Sequence, residues 1–214
     1  MSHGDLPSGQ HALCGQDLEC KRGGRTLFTR VGFTLRGGEW LHVRGANGAG
    51  KTSLLRILAG LARPDAGSVL WNGVALPSAA DAYRPALAWL GHRAGLKDDL
   101  SALENLRLAA SLDGMAVDLK AAREALAQVG LARREHLPLR LLSQGQRRRA
   151  LLARVLARRA RLWILDEPLA ALDPSGVALV EDLLAGHLAS GGSAVVTSHQ
   201  PIALAAAQTL ELAR

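Results

Sequence analysis

Residues 45–52 read Gly45-Ala46-Asn47-Gly48-Ala49-Gly50-Lys51-Thr52, and this glycine-rich stretch decides the fold of the chain. Trp40–Arg44 before it alternates in the period of a β-strand, and residues 53–59 after it are apolar at helical spacing. A glycine-rich turn between a strand and a helix is the arrangement of a phosphate-binding loop. The sequence therefore predicts that backbone N–H groups of this loop surround a phosphate.

The same loop carries the side chains that a nucleoside triphosphate needs. Glycines let the N–H groups curl around an anion without Cβ clashes, and the helix N-terminus adds a positive dipole end. Lys51 can reach the β- and γ-phosphates, and the Thr52 hydroxyl can hold Mg²⁺. An ordinary turn is the alternative interpretation, which eight matched positions between a strand and a helix disfavour.

Length and composition predict one compact domain. The chain has 214 residues, of which 48% are hydrophobic and 21% charged, an ordinary balance for a globular protein. No apolar run approaches the ~18–20 residues that cross a bilayer. The first dozen residues are polar and lack the apolar stretch of a signal peptide, so we expect a frayed N-terminus and a cytosolic protein.

The net charge and the cysteines leave alternatives open. The formal charge is +7, carried mostly by arginine, which suits nucleic acid, anionic lipid or an acidic protein partner. Arginine standing in for lysine through biased base composition explains the same charge without any partner. Cys14 and Cys20 have no metal-ligand spacing, so the sequence predicts reduced thiols at both positions.

Further along the chain, strand patterns alternate with helical ones. Residues 101–149 are apolar at helical spacing, and 175–189 form an amphipathic helix that ends at two glycines. Strand patterns lie at 27–35, at 67–73 as a short edge strand, at 86–90, and at 162–165 and 194–197 as buried strands. This alternation predicts an α/β fold, a mainly parallel sheet wrapped by helices with a helical lobe inserted in its middle.

Two adjacent carboxylates end one of the buried strands. Asp166, at the strand tip, is placed to hold Mg²⁺ through water, and Glu167 to orient or deprotonate an attacking water. Two acids at a strand end also occur as caps of the next turn. The phosphate-binding loop earlier in the chain favours the catalytic interpretation.

A third motif, Leu142-Ser143-Gln144-Gly145-Gln146, lies between the phosphate loop and the acidic strand end. Ser143 can cap a helix that begins around Arg147, and the N-terminus of that helix can receive an anion. Alone, the pentad is an ordinary helix start. In its position between the other two motifs, it resembles the signature of the ATP-binding cassette (ABC) family, and the resemblance covers residues 12–214.

This resemblance implies a P-loop nucleotide-binding domain of the ABC type, with a mainly parallel core, a small antiparallel β region and an inserted helical subdomain. It divides the chain into a flexible N-terminus, 1–12, and a single ATPase domain, 13–214. The expected core is 13–91 and 150–214, and the expected helical subdomain is about 92–149.

The expected cofactors are ATP and Mg²⁺, and the resemblance implies how ATP is held. Two copies of the chain would join head to tail, each contributing the loop 45–52 and the next residue, Ser53, to one ATP. Signature residues of the opposite copy would complete that site, namely Ser143, Gly145 and Gln146.

Two further positions match the family. Leu172-Asp173 resembles the aspartate loop that links the two ATP sites, although Ala170 stands where a serine is usual. His199, directly after a strand, matches the switch histidine that contacts the γ-phosphate, whereas a lone histidine is more often structural. The resemblance thus implies Asp173 as an ATP-site residue and three catalytic residues, Lys51, Glu167 and His199.

Three positions depart from the family pattern. Arg22 stands near where an aromatic ring usually lies under the adenine, and its guanidinium either stacks on the base or belongs to a solvated turn. His92 replaces the glutamine that senses Mg²⁺ and the membrane partner, and it joins Thr52 and Asp166 as an expected metal-site residue. Gln144 stands where glycine is commoner in the signature.

Residues 45–61, Gly91-His92 and Leu103-Glu104-Asn105-Leu106 are similar to one subfamily, the ATP-binding subunit of the haem exporter of cytochrome c maturation (CcmA). The similarity implies a peripheral ATPase at the cytoplasmic face of the inner membrane, partnered by integral membrane subunits. The alternatives are the ATPase of another transporter, for a small solute or drug, and a soluble cassette that acts on nucleic acid. We expect no nucleic acid, because no aromatic residues are interleaved with the arginines.

Overall fold

The structure, a computed structural model, describes residues 11–91, 95–114, 117–204 and 208–212. In chain order, the strands are β1 (Ala12–Arg22), β2 (Arg25–Arg36), β3 (Trp40–Arg44), β4 (Ala66–Trp71), β5 (Val74–Ala75), β6 (Leu87–Leu90), β7 (Leu162–Asp166), β8 (Ser193–Thr197) and β9 (Gln208–Glu211). The helices are α1 (Lys51–Leu58), α2 (Ala80–Ala86), α3 (Ala102–Leu112), α4 (Leu119–Gln128), α5 (Gln144–Ala157) and α6 (Pro174–Ala189), and Leu139–Leu141 forms a short 3-10 helix. Of the N-terminus expected to be frayed, residues 1–10 lie outside the described part of the chain.

Five strands form a parallel sheet in the order β6-β7-β8-β3-β9. β3 pairs with β8 from Trp40 opposite Ala194 to Val43 opposite Thr197. β7 and β8 are buried along their whole length, which is why their central residues are continuously apolar. The predicted α/β fold with a mainly parallel sheet is confirmed, and the loops that follow β3, β7 and β8 meet at one edge of that sheet.

A second sheet is antiparallel, in the order β2-β1-β4-β5. The segment 67–73, predicted as an edge strand, is instead interior, because β4 pairs with β1 on one side and with the two-residue β5 on the other. The sequence pattern does not reveal β1. Register shifts between Gly15 and Leu18, and again between Leu18 and Cys20, break the alternation that marks a strand.

The parallel sheet separates two hydrophobic cores. Neighbouring residues of β3 show the division, because Trp40 packs with the helices α3 to α6 whereas Leu41 packs with α1 and the antiparallel sheet. Trp163 and Ile164 of β7 divide in the same way. Since both faces of these strands are buried, the edge of the sheet that carries the predicted motifs is fixed from two sides.

Helices α3, α4 and α5 pack together where the sequence predicts a helical stretch. Ser101 caps α3 through a capping box with Glu104, and Asn105 donates to the carbonyl groups of Lys97 and Leu100 in the preceding loop. α5 begins at Gln144 rather than around residue 147, because Ser143 is its N-cap. The division of the chain into a core and a helical subdomain stays a prediction. Across the described residues, no helix is both long and apolar enough to span a bilayer.

Candidate active site

The glycine-rich loop joins β3 to α1. Gly50 is the N-cap of α1 in a left-handed conformation, with a φ of 99°, and no described side chain caps the helix. The N–H groups of the first helical turn are therefore available to an external acceptor. A β-carbon at position 50 would lie 3.0 Å from Leu27 Cβ, so the loop packs closely against the antiparallel sheet. This helix N-terminus can receive an anion.

Lys51 folds back onto the loop. Its Nζ donates to the carbonyl oxygen of Gly45 at 2.7 Å and to that of Ala46 at 3.3 Å. The ammonium group is thus held within the loop, in reach of any anion that the loop N–H groups would bind. Phosphate oxygens can replace these two carbonyl acceptors, because an ammonium group has three rotatable donors.

Ser53, the last residue of the expected ATP-binding stretch, lies half-buried in the first turn of α1. Its side chain lies close enough to the buried Cys20 thiol of β1 to act on the pKa of that thiol. Burial raises the pKa of that thiol, and the charge of Arg22 and the Ser53 side chain oppose the rise. That Ser53 contributes to ATP binding stays a prediction. Its N–H, in the first helical turn, is available to a phosphate.

One buried carboxylate links the loop helix to two strands. Asp166, at the end of β7 and 2% exposed, accepts hydrogen bonds from Thr52 Oγ1 and from Thr197 Oγ1, each at 2.8 Å. Thr197 Oγ1 also accepts from the Glu167 N–H at 2.9 Å. Because α1, β7 and β8 each supply one member, this Asp166 network fixes the loop relative to the strand ends.

The Asp166 network offers oxygen atoms that suit a magnesium ion. The Thr52 hydroxyl and the Asp166 carboxylate lie 2.8 Å apart, and both are oxygen ligands of the kind that Mg²⁺ prefers, so these two residues would hold the ion if it were bound. These residues therefore fit a magnesium that arrives with a nucleotide. Elsewhere in the described chain, no cluster of three or more His, Cys, Asp or Glu side chains could hold a metal. His92, the third expected metal-site residue, lies outside the described residues.

Glu167 and His199 are in contact. Glu167 has a φ of 51°, in the left-handed region that few side chains adopt. Its Oε2 accepts the His199 N–H at 3.2 Å, and its Oε1 lies 3.5 Å from His199 Nε2. A carboxylate and an imidazole this close can act on the same water or phosphate.

Arg148 stabilises the acidic turn, which is residues 166–168, through contacts with backbone carbonyls that the sequence does not predict. Its guanidinium donates to the carbonyl oxygens of Asp166 at 2.9 Å and Pro168 at 3.3 Å, and to that of Glu167. Burial lowers the pKa of Arg148, and the charges of Asp166 and Glu167 oppose that lowering. The sequence signal for this contact is an arginine two residues after the pentad 142–146.

The pentad lies beside the aspartate loop. Ser143 Oγ accepts the Gln146 N–H at 3.2 Å, and Gln146 Oε1 accepts the Ser143 N–H at 3.1 Å, which completes a capping box. A β-carbon on Gly145 would lie 3.4 Å from the carbonyl oxygen of Ala171. No described contact joins these signature residues to the loop 45–52 of the same chain.

Asp173 caps α6. Its Oδ1 accepts the Gly176 N–H at 2.9 Å, and Arg149 Nη2 lies 3.3 Å from the same oxygen. The hydrogen bonds from Ser175 and from the Gly176 N–H lower the pKa of Asp173, and Arg149 adds to the effect. In this arrangement α5 contacts both the acidic turn, through Arg148, and the aspartate loop.

Arg22 lies at the end of β1, exposed, next to the turn at Gly23 and Gly24. Its Nη1 lies 3.4 Å from Asp65 Oδ2 and donates to the Lys21 carbonyl oxygen at 2.7 Å. The side chain is thus a turn residue with a surface ion pair, an interaction of little energy that a ligand can displace.

Comparisons with known proteins identify relatives in sequence and in fold. The family model described as "ABC transporter" matches residues 28–170. The curated protein "Cytochrome c biogenesis ATP-binding export protein CcmA" of Nitrosomonas europaea is 49% identical over 92% of this chain and 93% of its own length. The protein of that name in Escherichia coli is 49% identical over 90% of this chain and 91% of its own length.

Among solved structures, a putative ABC transporter ATP-binding protein from Pyrococcus furiosus superposes with a TM-score of 0.81 at 25% identity, covering 94% of this chain and 97% of that one. A dimeric ATP-binding cassette in a post-hydrolysis state, bound to ADP and Pi, superposes with a TM-score of 0.74 at 24% identity, covering 88% of each chain. The latter likeness bears on the fold alone.

Replacing Thr197 tests the Asp166 network. Thr197→Val leaves the Asp166 carboxylate and the Glu167 N–H short of a buried partner, and should lower the free energy of unfolding by about 2–3 kcal/mol. Thr197→Ser keeps the hydroxyl and should cost about 1 kcal/mol for the lost methyl group. Urea unfolding measures both. Equal destabilisation by the two variants would contradict the network.

Proposed function

This chain belongs to the ABC transporter family and, within it, to the CcmA proteins, and we propose that it hydrolyses ATP to drive a membrane complex of cytochrome c biogenesis. One structural observation supports the mechanism that we propose for this hydrolysis. The Asp166 network ties the start of α1, with Lys51 and Thr52, to the turn that holds the Glu167–His199 pair. The groups that we propose to bind phosphate and to activate water therefore lie along one edge of the sheet.

The proposed reaction is attack of water on the γ-phosphate of ATP. The loop 45–52 and the Ser53 N–H bind the phosphates, and Lys51 neutralises charge on their β- and γ-oxygens. Thr52 and Asp166 hold Mg²⁺, which when bound neutralises further phosphate charge. Glu167 orients the water and accepts its proton.

In this scheme one residue contacts the γ-phosphate of ATP and another contacts the adenine. His199, held by Glu167, donates to the γ-phosphate oxygens as charge develops. Arg22, on the sheet that packs against the loop, is the residue we propose for the adenine face, where its guanidinium plane stacks on the base in exchange for the Asp65 ion pair.

We propose that a second copy of the chain completes each site. Ser143, Gly145 and Gln146 stand at the N-terminus of α5, and their described contacts do not engage the loop of their own chain. A helix N-terminus attracts an anion, so it suits the γ-phosphate bound by the other copy. Arg148 would then link the two ATP sites of the dimer. It follows the signature on α5, which serves one ATP, and it donates to the carbonyls of the acidic turn, which serves the other. Asp173 pairs with the next residue of α5, Arg149.

Membrane subunits are the proposed partners, and a groove beside the helical lobe is where they would dock. This lobe groove, a cavity of about 500 Å³, has walls from the end of α1, from β6, and from the C-terminal halves of α3 and α5. Leu61 is 55% exposed and Leu112 is 79% exposed at its rim. An apolar segment of a partner would cover these leucines, while Arg158 and Asp113 at the groove hold each other in an ion pair.

The cargo of the membrane complex and its location in the cell are also proposed. We propose that the complex serves haem handling at the cytoplasmic face of the inner membrane, as the names of the CcmA relatives suggest for cytochrome c biogenesis. Nucleic acid is not a proposed partner. Three arginines that could form a basic patch instead pair with carboxylates within the chain, Arg147 with Asp98, Arg149 with Asp173 and Arg158 with Asp113.

Glu167→Gln tests the chemistry. The amide cannot accept the proton of water, so kcat should fall about 100-fold or more, the usual contribution of a general base. ATP affinity should be nearly unchanged, since the phosphate contacts remain. Glu124→Gln, an exposed change on α4, is the matched control. Unaltered turnover in Glu167→Gln would remove Glu167 from the mechanism.

Leu112→Asp tests the lobe groove. A carboxylate at the exposed rim should strongly reduce the amount of chain that co-purifies with its membrane subunits, because it must be desolvated on docking. Val74→Asp is the control, a change of another exposed apolar residue, on β5 outside the groove. Loss of co-purification in the control alone, or in neither variant, argues against this docking site.

A further inference from the structure

Glu167, the proposed general base, lies just beyond the end of β7, and side chains of two other elements hold its backbone. Its N–H donates to Thr197 Oγ1 of β8 at 2.9 Å. Its carbonyl oxygen accepts the Ala170 N–H within the chain turn at 3.1 Å and, from outside that turn, the guanidinium of Arg148 on α5. The orientation of Glu167 is therefore set by contacts from β8 and α5 as well as by the turn itself.

The conformation that these contacts hold is an unfavourable one. Glu167 has a φ of 51°, in the left-handed region, which is costly for a residue that carries a β-carbon. The next residue is Pro168, and a proline further restricts the backbone of the residue before it. A strained residue keeps its conformation only where its surroundings enforce it.

The Glu167 carboxylate gains too little to account for this conformation. Within the described chain, its Oε2 accepts one hydrogen bond, from the His199 N–H at 3.2 Å. Its Oε1 is buried, lies 3.5 Å from His199 Nε2 and has no hydrogen-bond partner among the described residues. A buried acceptor without a donor costs free energy. The backbone therefore dictates where the carboxylate lies, and Oε1 is left as an acceptor for the proton of a water.

Arg148 is the side chain that contacts the acidic turn most extensively. Besides the Glu167 carbonyl, its guanidinium donates to the carbonyl oxygens on either side, those of Asp166 at 2.9 Å and Pro168 at 3.3 Å. All the hydrogen bonds that the structure describes for this guanidinium go to these three carbonyls. Its N–H donors form a rigid planar fork, so it can fix three consecutive carbonyl groups at once, which the point-like ammonium of a lysine cannot.

We infer that Arg148 is a positioning residue for hydrolysis, which keeps Glu167 in the left-handed conformation that presents its carboxylate to the attacking water. The inference rests on the proposed function, in which Glu167 is the general base. Without the guanidinium, the turn relaxes toward an ordinary φ, and the carboxylate moves away from His199. Such a change lowers kcat but leaves ATP affinity intact, because the loop 45–52 holds the phosphates.

Arg148→Met tests the inference, since its side chain still packs where the arginine stem lies but donates no hydrogen bond. The turnover of the chain assembled with its membrane subunits should fall about 10- to 100-fold, the effect of misplacing a catalytic group by about 1 Å. ATP affinity, measured by equilibrium binding, should be nearly unchanged. Arg148→Lys keeps the charge but not the fork, so it should recover only part of kcat. If Arg148→Met does not fold, parent turnover in Arg148→Lys overturns the inference.

Arg147→Met is the matched control. Arg147 lies on the same helix and donates to the carbonyls of Leu139 and Leu142, not to the acidic turn, so this variant should keep nearly the parent kcat. An equal loss of turnover in Arg147→Met and Arg148→Met would overturn the inference, because it would reflect a general disturbance of α5.

A double-mutant cycle separates positioning from a merely structural role. In the Glu167→Gln background, Arg148→Met should change the residual turnover little, because the base that Arg148 positions is already gone. A further tenfold loss there would overturn the inference. Parent turnover in Arg148→Met, with turnover lost in Glu167→Gln, would contradict the inference alone, whereas parent turnover in Glu167→Gln contradicts the proposed function.

Amide hydrogen exchange gives a readout that needs no turnover. In Arg148→Met the Glu167 N–H should exchange faster than in the parent chain, because the turn that presents it to Thr197 has relaxed. The Ser101 N–H, bonded to Glu104 Oε2 at the start of α3, should exchange at the parent rate. Equal protection of the Glu167 N–H in the parent and in Arg148→Met would overturn the inference.

Discussion

The shared carboxylate of Asp166 is the constraint on which the rest of the site depends. It accepts from the hydroxyl of Thr52 at the start of α1 and from that of Thr197 at the end of β8, and it is itself the last residue of β7. A buried carboxylate is tolerated because these donors replace water. These hydrogen bonds therefore join the glycine-rich loop, the acidic turn and the strand that precedes His199 to one carboxylate.

Arg148 extends this constraint from the chemistry to the helical lobe. Its guanidinium is largely withdrawn from water and donates to the carbonyls of the acidic turn, while the same helix begins at the signature serine and contacts the aspartate loop through Arg149. In the proposed dimer, each signature rests on the nucleotide of the other copy. In that proposal, closure on one ATP would act on α5 and, through Arg148, on the acidic turn of the same chain, which belongs to the second ATP site. Hydrolysis removes the phosphate that joins the halves, so the dimer can reopen.

The sequence predicts most of this architecture because its decisive elements are locally encoded. The loop 45–52, the continuous apolar runs of β7 and β8, and the capped start of α3 each carry their own signal. β1 escapes prediction because its bulges break the alternation, and α2 because it contains Pro85.

Several side-chain contacts of the site escape prediction as well, since each joins residues that are distant in sequence. Thr197 and Arg148 reach the acidic turn from other elements.

The proposed mechanism requires that one ATP is bound between two copies of this chain. Light scattering of the Glu167→Gln variant, with and without ATP and Mg²⁺, measures this most directly. Nucleotide should double the molar mass, and adding Ser143→Arg to the same variant should abolish the doubling while ATP still binds. A mass that stays monomeric with ATP, in the presence of the membrane subunits as well as without them, would contradict it.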